Sequence, residues 1–127
     1  MKTIVNTTGA PSPIGPYSQA VVAGNFLFAS GMIAINPSNG QLNTINILQE
    51  TTQVMQNIGE VLRAAGLDYG DIVKTTIFLK DMNQFALVND VYSQFFQKDF
   101  PARETVEVSR LPKDVNVEIS VTALLRK

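Results

Sequence analysis

Two stretches of strict alternation near the C-terminus limit the fold more than any other feature. In residues 105–109, Val106 and Val108 share one parity and Thr105, Glu107 and Ser109 the other. In residues 117–123, Val117, Ile119, Val121 and Ala123 alternate with Glu118, Ser120 and Thr122. Side chains of a strand point alternately to its two faces, so each stretch predicts a half-buried strand. The turn Leu111-Pro112-Lys113-Asp114 between them predicts a closing hairpin. With the apolar faces aligned, Arg103, Thr105, Glu118, Ser120 and Thr122 fall on one shared polar face. A guanidinium and a carboxylate are then carried by rigid strands, an arrangement suited to gripping a small carboxylate beside an ordered water.

The absences are as restrictive. The chain has 127 residues with no Cys and no His. That excludes a disulfide framework, a thiolate nucleophile, a Ser-His triad and the usual Cys and His zinc ligands. No metal or organic cofactor is implied. Any catalysis rests on Glu, Asp, Tyr, Arg, Lys, Ser, Thr or backbone groups. Ten basic against eleven acidic residues, with no basic run, give no electrostatic footprint for nucleic acid or an acidic membrane. Neither a signal peptide nor a membrane-spanning run is legible, so a cytoplasmic location is expected. The length predicts one domain over residues 1–127.

Along the chain, residues 4–6 predict a short edge strand, followed by a loop stiffened by Pro11, Pro13 and Pro16 that presents Tyr17. Residues 18–22 and 26–32 predict a hairpin turning at Gly24-Asn25, with Gly31 marking either a bulge or a close backbone approach. Helical spacing of Ile47, Val54, Met55, Ile58, Val61, Leu62 and Ala65 predicts a helix with Asn46 as N-cap and Gly66 as its stop. Residues 72–80 predict a central strand, Ile72 and Phe78 on one face and Val73, Ile77 and Leu79 on the other. Residues 83–97 predict a second helix with Phe85, Val88, Tyr92, Phe95 and Phe96 inward and an Asp81/Gln84 capping box. The expected class is α+β: a mixed six-stranded sheet with both helices on one face. The other, half-apolar face then needs a partner, and self-association is the simplest one.

Several segments together carry a resemblance. Ile14-Gly15-Pro16-Tyr17-Ser18-Gln19-Ala20, Phe28-Ala29-Ser30-Gly31-Met32-Ile33, residues 73–82, Phe85-Ala86-Leu87-Val88-Asn89-Asp90-Val91-Tyr92 and Pro101-Ala102-Arg103 resemble, in order, the Rid (YjgF) family of reactive-intermediate deaminases. The resemblance implies a chorismate-mutase-like fold assembled as a homotrimer, with a central barrel and clefts between subunits. It implies hydrolysis of 2-imino acids, 2-iminobutanoate and 2-iminopropanoate among them, to 2-keto acids and ammonia. Arg103 resembles the arginine that clamps the substrate carboxylate, and Glu118 the glutamate near the attacking water. Gly31, Tyr17, Asn89, Ser30 and Thr105 fall at cleft positions. Thr105 stands where many members carry Cys. Glu50 replaces the usual Gln, and residues 42–46 lack the usual glycine; both changes are expected at the cleft rim.

Each site residue also has a plainer explanation. Arg103 could pair with Glu104, Glu107 or Glu118. Glu118 and Tyr17 could serve an interface, Asn89 a helix–loop hydrogen bond, and Ser30 the core. The same cleft would serve a non-catalytic 2-keto-acid-binding trimer. An RNA-cleaving translation inhibitor is disfavoured by the charge balance, and a holdase has no sequence feature beyond an apolar surface.

Overall fold

The computed structural model describes residues 1–126. Strands β1 (Lys2–Val5), β2 (Ala20–Ala23) and β3 (Phe26–Ala29) precede helix α1 (Ile47–Ala64). Strand β4 (Ile72–Leu79), helix α2 (Phe85–Ser93), and strands β5 (Ala102–Glu107) and β6 (Val117–Leu124) follow. They form one six-stranded sheet in the order β1-β2-β3-β6-β4-β5. The β4–β5 pair is parallel and the other pairs antiparallel. The β2–β3 turn has Gly24 at φ 60°, in the left-handed region where a glycine costs least. Helix α1 starts where the Asn46 side chain accepts from the Gln49 N–H at 2.8 Å and stops before Gly66 at φ 75°.

Both helices pack on one face of the sheet. Val54, Met55, Ile58, Val61 and Leu62 of α1, with Val88 and Tyr92 of α2, meet Leu27, Ile77, Leu79, Val117, Ile119 and Val121 in one core. The opposite face is left with exposed apolar side chains, among them Ile4 at 52% and Phe28 at 45%.

The closing hairpin does not form, because β4 lies between β5 and β6. Burial explains the order. Val117, Ile119, Val121 and Ala123 are all buried, so β6 takes a central place, whereas polar β5 suits an edge. The α2 connection then brings β5 in parallel to β4, as a crossover helix does. The shared polar face is lost with the hairpin. Arg103 and Thr105 are in register with Thr75 and Ile77, on the helix side. Glu118 is in register with Phe78 on the opposite side, which Ser120 and Thr122 share.

Three smaller departures have local causes. A register shift between Ile72 and Lys74 turns Ile72 into the core and leaves Val73 exposed, reversing their expected faces. Strand β3 ends early: Phe28 pairs with Thr122, but Met32 bridges Ile119, so Ala29, Ser30 and Gly31 form a bulge. Helix α2 is shorter than expected. Residues 82–84 form a tight 3-10 turn capped by Asp81, whose carboxylate accepts from the Asn83 N–H at 2.9 Å, and Gln84 supplies no reciprocal side-chain cap. Phe95 and Phe96 lie past its end against Tyr69, with ring centroids 5.2 and 6.3 Å away, while Phe85 is 36% exposed rather than in the core.

Candidate functional site

On the helix side, at the sheet edge, Arg103 is half-buried under α2. Its Nη1 donates to Asn89 Oδ1 at 2.6 Å. Its Cζ lies 5.1 Å from the Tyr92 ring centroid and 5.5 Å from that of Phe85. The Tyr92 hydroxyl donates in turn to Thr75 Oγ1 at 2.9 Å, and burial pushes its pKa above the ordinary phenol value. Arg103 pairs with no carboxylate among the described residues. Glu104 is taken by Lys74 Nζ at 3.3 Å and by the Thr76 hydroxyl at 2.8 Å, and Glu107 accepts from the Met82 N–H at 2.8 Å. A half-buried cation without a counter-ion is costly to keep unless something anionic arrives. Thr105, on the same strand face, has the one buried side-chain oxygen among the described residues that lacks a partner.

On the other face is a cleft of about 310 Å³ lined by Ile14, Tyr17, Ser30, Gly31, Ile33, Pro112 and Glu118. Its proline loop is pinned by buried Gln19, whose Nε2 donates to Pro11 O at 2.9 Å and Thr7 O at 3.0 Å while its Oε1 accepts from the Thr7 N–H at 2.8 Å. Ser30 Oγ donates to Ser18 O at 2.6 Å, fastening the bulge to the same loop. Pro112 lines the other side, its segment held down by Leu111 and Val115 packing on Ile33 and Ile35. A methyl group built on Gly31 would come within 2.6 Å of Glu118 Oε2, so only glycine lets the carboxylate lie there. Of the two expected meanings of Gly31, the bulge is observed.

The Glu118 side chain makes no hydrogen bond or ion pair among the described residues, and burial raises its pKa above the ordinary carboxylate value. A carboxylate that is hard to charge and free of partners is suited to hold a water and accept its proton. The raised value also fixes a sign. Its contribution to stability is full below the unfolded carboxyl pKa, about 4.3, and is lost as pH rises through the higher folded value. Glu118→Gln is therefore expected to be at least as stable as the parent at pH 7, and to flatten the fall in melting temperature above pH 4–5. Melting curves across pH check this; a Glu118→Gln protein clearly less stable than the parent at pH 7 would refute it.

The candidate site residues thus fall into two groups on opposite faces of the sheet. Arg103, Asn89 and Thr105 lie on the helix face, and Tyr17, Ser30, Gly31 and Glu118 on or beside the other. Sequence reasoning missed Gln19, although it follows Gly-Pro-Tyr-Ser directly, and it placed Phe85 in the core. It also expected Glu50 at the cleft rim. The structure buries Glu50 completely, its carboxylate accepting from the Asn116 N–H and side-chain amide, each at 2.7 Å, and from the Val117 N–H at 3.2 Å. It anchors the start of β6 from beneath. Among the described residues, no group of three or more carboxylates gathers to hold a metal, and no helix is long and apolar enough to cross a membrane.

The chain is a small α+β domain with an open arginine on one sheet face and a cleft holding a carboxylate on the other. The family model described as Endoribonuclease L-PSP matches residues 7–125. A RutC family protein of Pyrococcus horikoshii is 52% identical over 123 residues, 97% of this chain and 98% of its own. The human 2-iminobutanoate/2-iminopropanoate deaminase is 43% identical over 124 residues, 98% of this chain and 90% of its own. The crystal structure of E. coli TdcF with bound serine superposes with a TM-score of 0.93 at 41% identity, covering 98% of this chain and 99% of that one. The chain belongs to the Endoribonuclease L-PSP family, that of the Rid (YjgF/RidA) proteins.

Proposed function

We propose that the protein hydrolyses small 2-imino acids, 2-iminobutanoate and 2-iminopropanoate among them, to 2-keto acids and ammonia. The observation that carries this reading is the uncompensated guanidinium of Arg103, stacked on two rings and held by Asn89. Nη1 is occupied by Asn89, while the Nε and Nη2 hydrogens have no partner among the described residues. That edge matches the two oxygens of a carboxylate. The relative with a bound amino acid and the relatives named as imine deaminases support it.

Since Arg103 and Glu118 occupy opposite sheet faces, a complete site needs the Arg103 half of one copy beside the Glu118 half of another. A homotrimer with the apolar outer faces turned inward supplies that juxtaposition and covers Ile4 and Phe28. In such a cleft the substrate carboxylate docks on Arg103, with Thr105 beside it, and the Gly31 N–H and Tyr17 complete the pocket. A water held by Glu118 attacks C2 of the protonated imine. One water proton passes to the Glu118 carboxylate, which returns it to the nitrogen of the resulting carbinolamine; the C–N bond then breaks as the C–O bond becomes C=O, and the hydroxyl proton passes by way of Glu118 to the departing ammonia, which leaves as ammonium. Imines hydrolyse readily in water, so positioning and about 10²-fold from one carboxylate suffice without His or metal.

The test supplies the protein with freshly generated imine from an amino-acid oxidase and times keto-acid release. Release faster than the spontaneous rate supports the reading. Tight 2-ketobutyrate binding with no acceleration would leave a ligand-binding trimer instead.

A further inference from the structure

Phe85, Asn89 and Tyr92 lie at i, i+4 and i+7 of α2, a spacing that puts them on one stripe of the helix. All of them meet Arg103. Asn89 holds Nη1, and the two rings lie 5.5 and 5.1 Å from Cζ. Tyr92 is itself fixed at its far end by the Thr75 hydroxyl on β4. Phe85 is exposed, so its position is not explained by core packing. An arginine on an edge strand has several rotatable bonds, and its reach to a ligand is useful only if the plane of the fork is set beforehand.

Resting on the carboxylate-clamp reading of Arg103, we propose that Phe85 and Tyr92 are positioning residues. They fix the plane of the guanidinium so that its Nε–Nη2 edge faces the incoming carboxylate, and Asn89 sets its rotation by occupying Nη1. The stripe makes α2 a specificity element: it favours a planar carboxylate arriving edge-on over a spherical or singly hydrogen-bonding anion.

Phe85→Leu tests this on an exposed residue whose change spares the core; circular-dichroism melting checks that it does. Affinity for 2-ketobutyrate is expected to fall about three- to tenfold, the range of a partly exposed cation–π stack. KM should rise with kcat within about twofold, because the docking contact is made in ground and transition states alike. Phe85→Trp should restore both. In an Arg103→Ala background Phe85→Leu should change nothing further, since the ring then has no guanidinium to orient. Rotation about the Arg103 Nε–Cζ bond, followed by NMR without substrate, should speed up in Phe85→Leu and Tyr92→Phe. Unaltered rotation and affinity in Phe85→Leu, or an equal loss in the Arg103→Ala background, would overturn the proposal. A wild-type protein that never turns over imine would fail the proposed function instead, while the rotation and 2-ketobutyrate measurements still decide the role of Phe85 and Tyr92.

Discussion

Arg103→Ala is expected to abolish accelerated imine hydrolysis while the protein stays folded. Removing a charge-assisted two-point contact to a carboxylate costs about 2–5 kcal/mol of transition-state binding, enough to return the reaction to nearly its spontaneous rate. The fold should survive because Arg103 is on an edge strand, pairs with no carboxylate, and leaves behind only Asn89 Oδ1, which water can reach at a half-exposed site. Arg103→Lys should do little better, since an ammonium cannot present a planar fork to the carboxylate. The separation of the half-sites adds a sharper test. Arg103→Ala and Glu118→Gln chains, each impaired alone, should complement when unfolded together and refolded. In randomly mixed trimers roughly a quarter of the clefts pair an intact Arg103 half with an intact Glu118 half. Recovery of activity near that fraction would place the two residues in one site from two copies. No recovery, from mixtures shown to exchange subunits, would mean that each chain works with its own pair or that one of the residues is not needed.

Local pattern was enough for the elements and insufficient for their order. The spacing from Ile47 to Leu62 with Asn46 before it predicts α1, and Gly24-Asn25 predicts the first hairpin, because both depend on neighbours a few residues away. The closing hairpin failed for the opposite reason. Alternation says which residues share a parity, and only the pairing register says which side each parity faces. A strand with Val106 and Val108 beside one with Val117 and Ile119 looks like a hairpin, yet the more completely buried strand displaced its sequence neighbour and took the centre. That single exchange carried Arg103 to the helix side, away from Glu118. Arg103 and Glu118 were legible as candidates by residue type, while their places on opposite faces of the sheet were not. Glu50 was legible only as a departure from a pattern, since its partners at Asn116 and Val117 are far away in sequence.

Glu50→Ala is expected to be the most destabilising single change at a polar residue in this chain, by about 3–5 kcal/mol. Glu50 is 0% exposed, and its carboxylate is the acceptor for the Asn116 N–H, the Asn116 side-chain amide and the Val117 N–H. Alanine leaves those donors without an acceptor, each costing about 1–3 kcal/mol less whatever an entering water recovers. Glu50→Gln should be far milder, within about 1 kcal/mol of the parent. One oxygen can still take the backbone N–H groups, and the Asn116 amide can turn its oxygen toward the new NH₂. The two variants therefore separate loss of the acceptor from a change that keeps one. Urea unfolding at one fixed protein concentration, with midpoints compared at equal slope, reads both. The consequence reaches the cleft, because Asn116 and Val117 lead straight into Glu118 and their tether sets where that carboxylate stands against Gly31. Folded Glu50→Ala protein should accordingly lose turnover beyond its loss of folded fraction, while 2-ketobutyrate still docks on Arg103. A Glu50→Ala midpoint equal to the parent's would show that Asn116 and Val117 find other acceptors, and that the buried carboxylate is not what holds the start of β6.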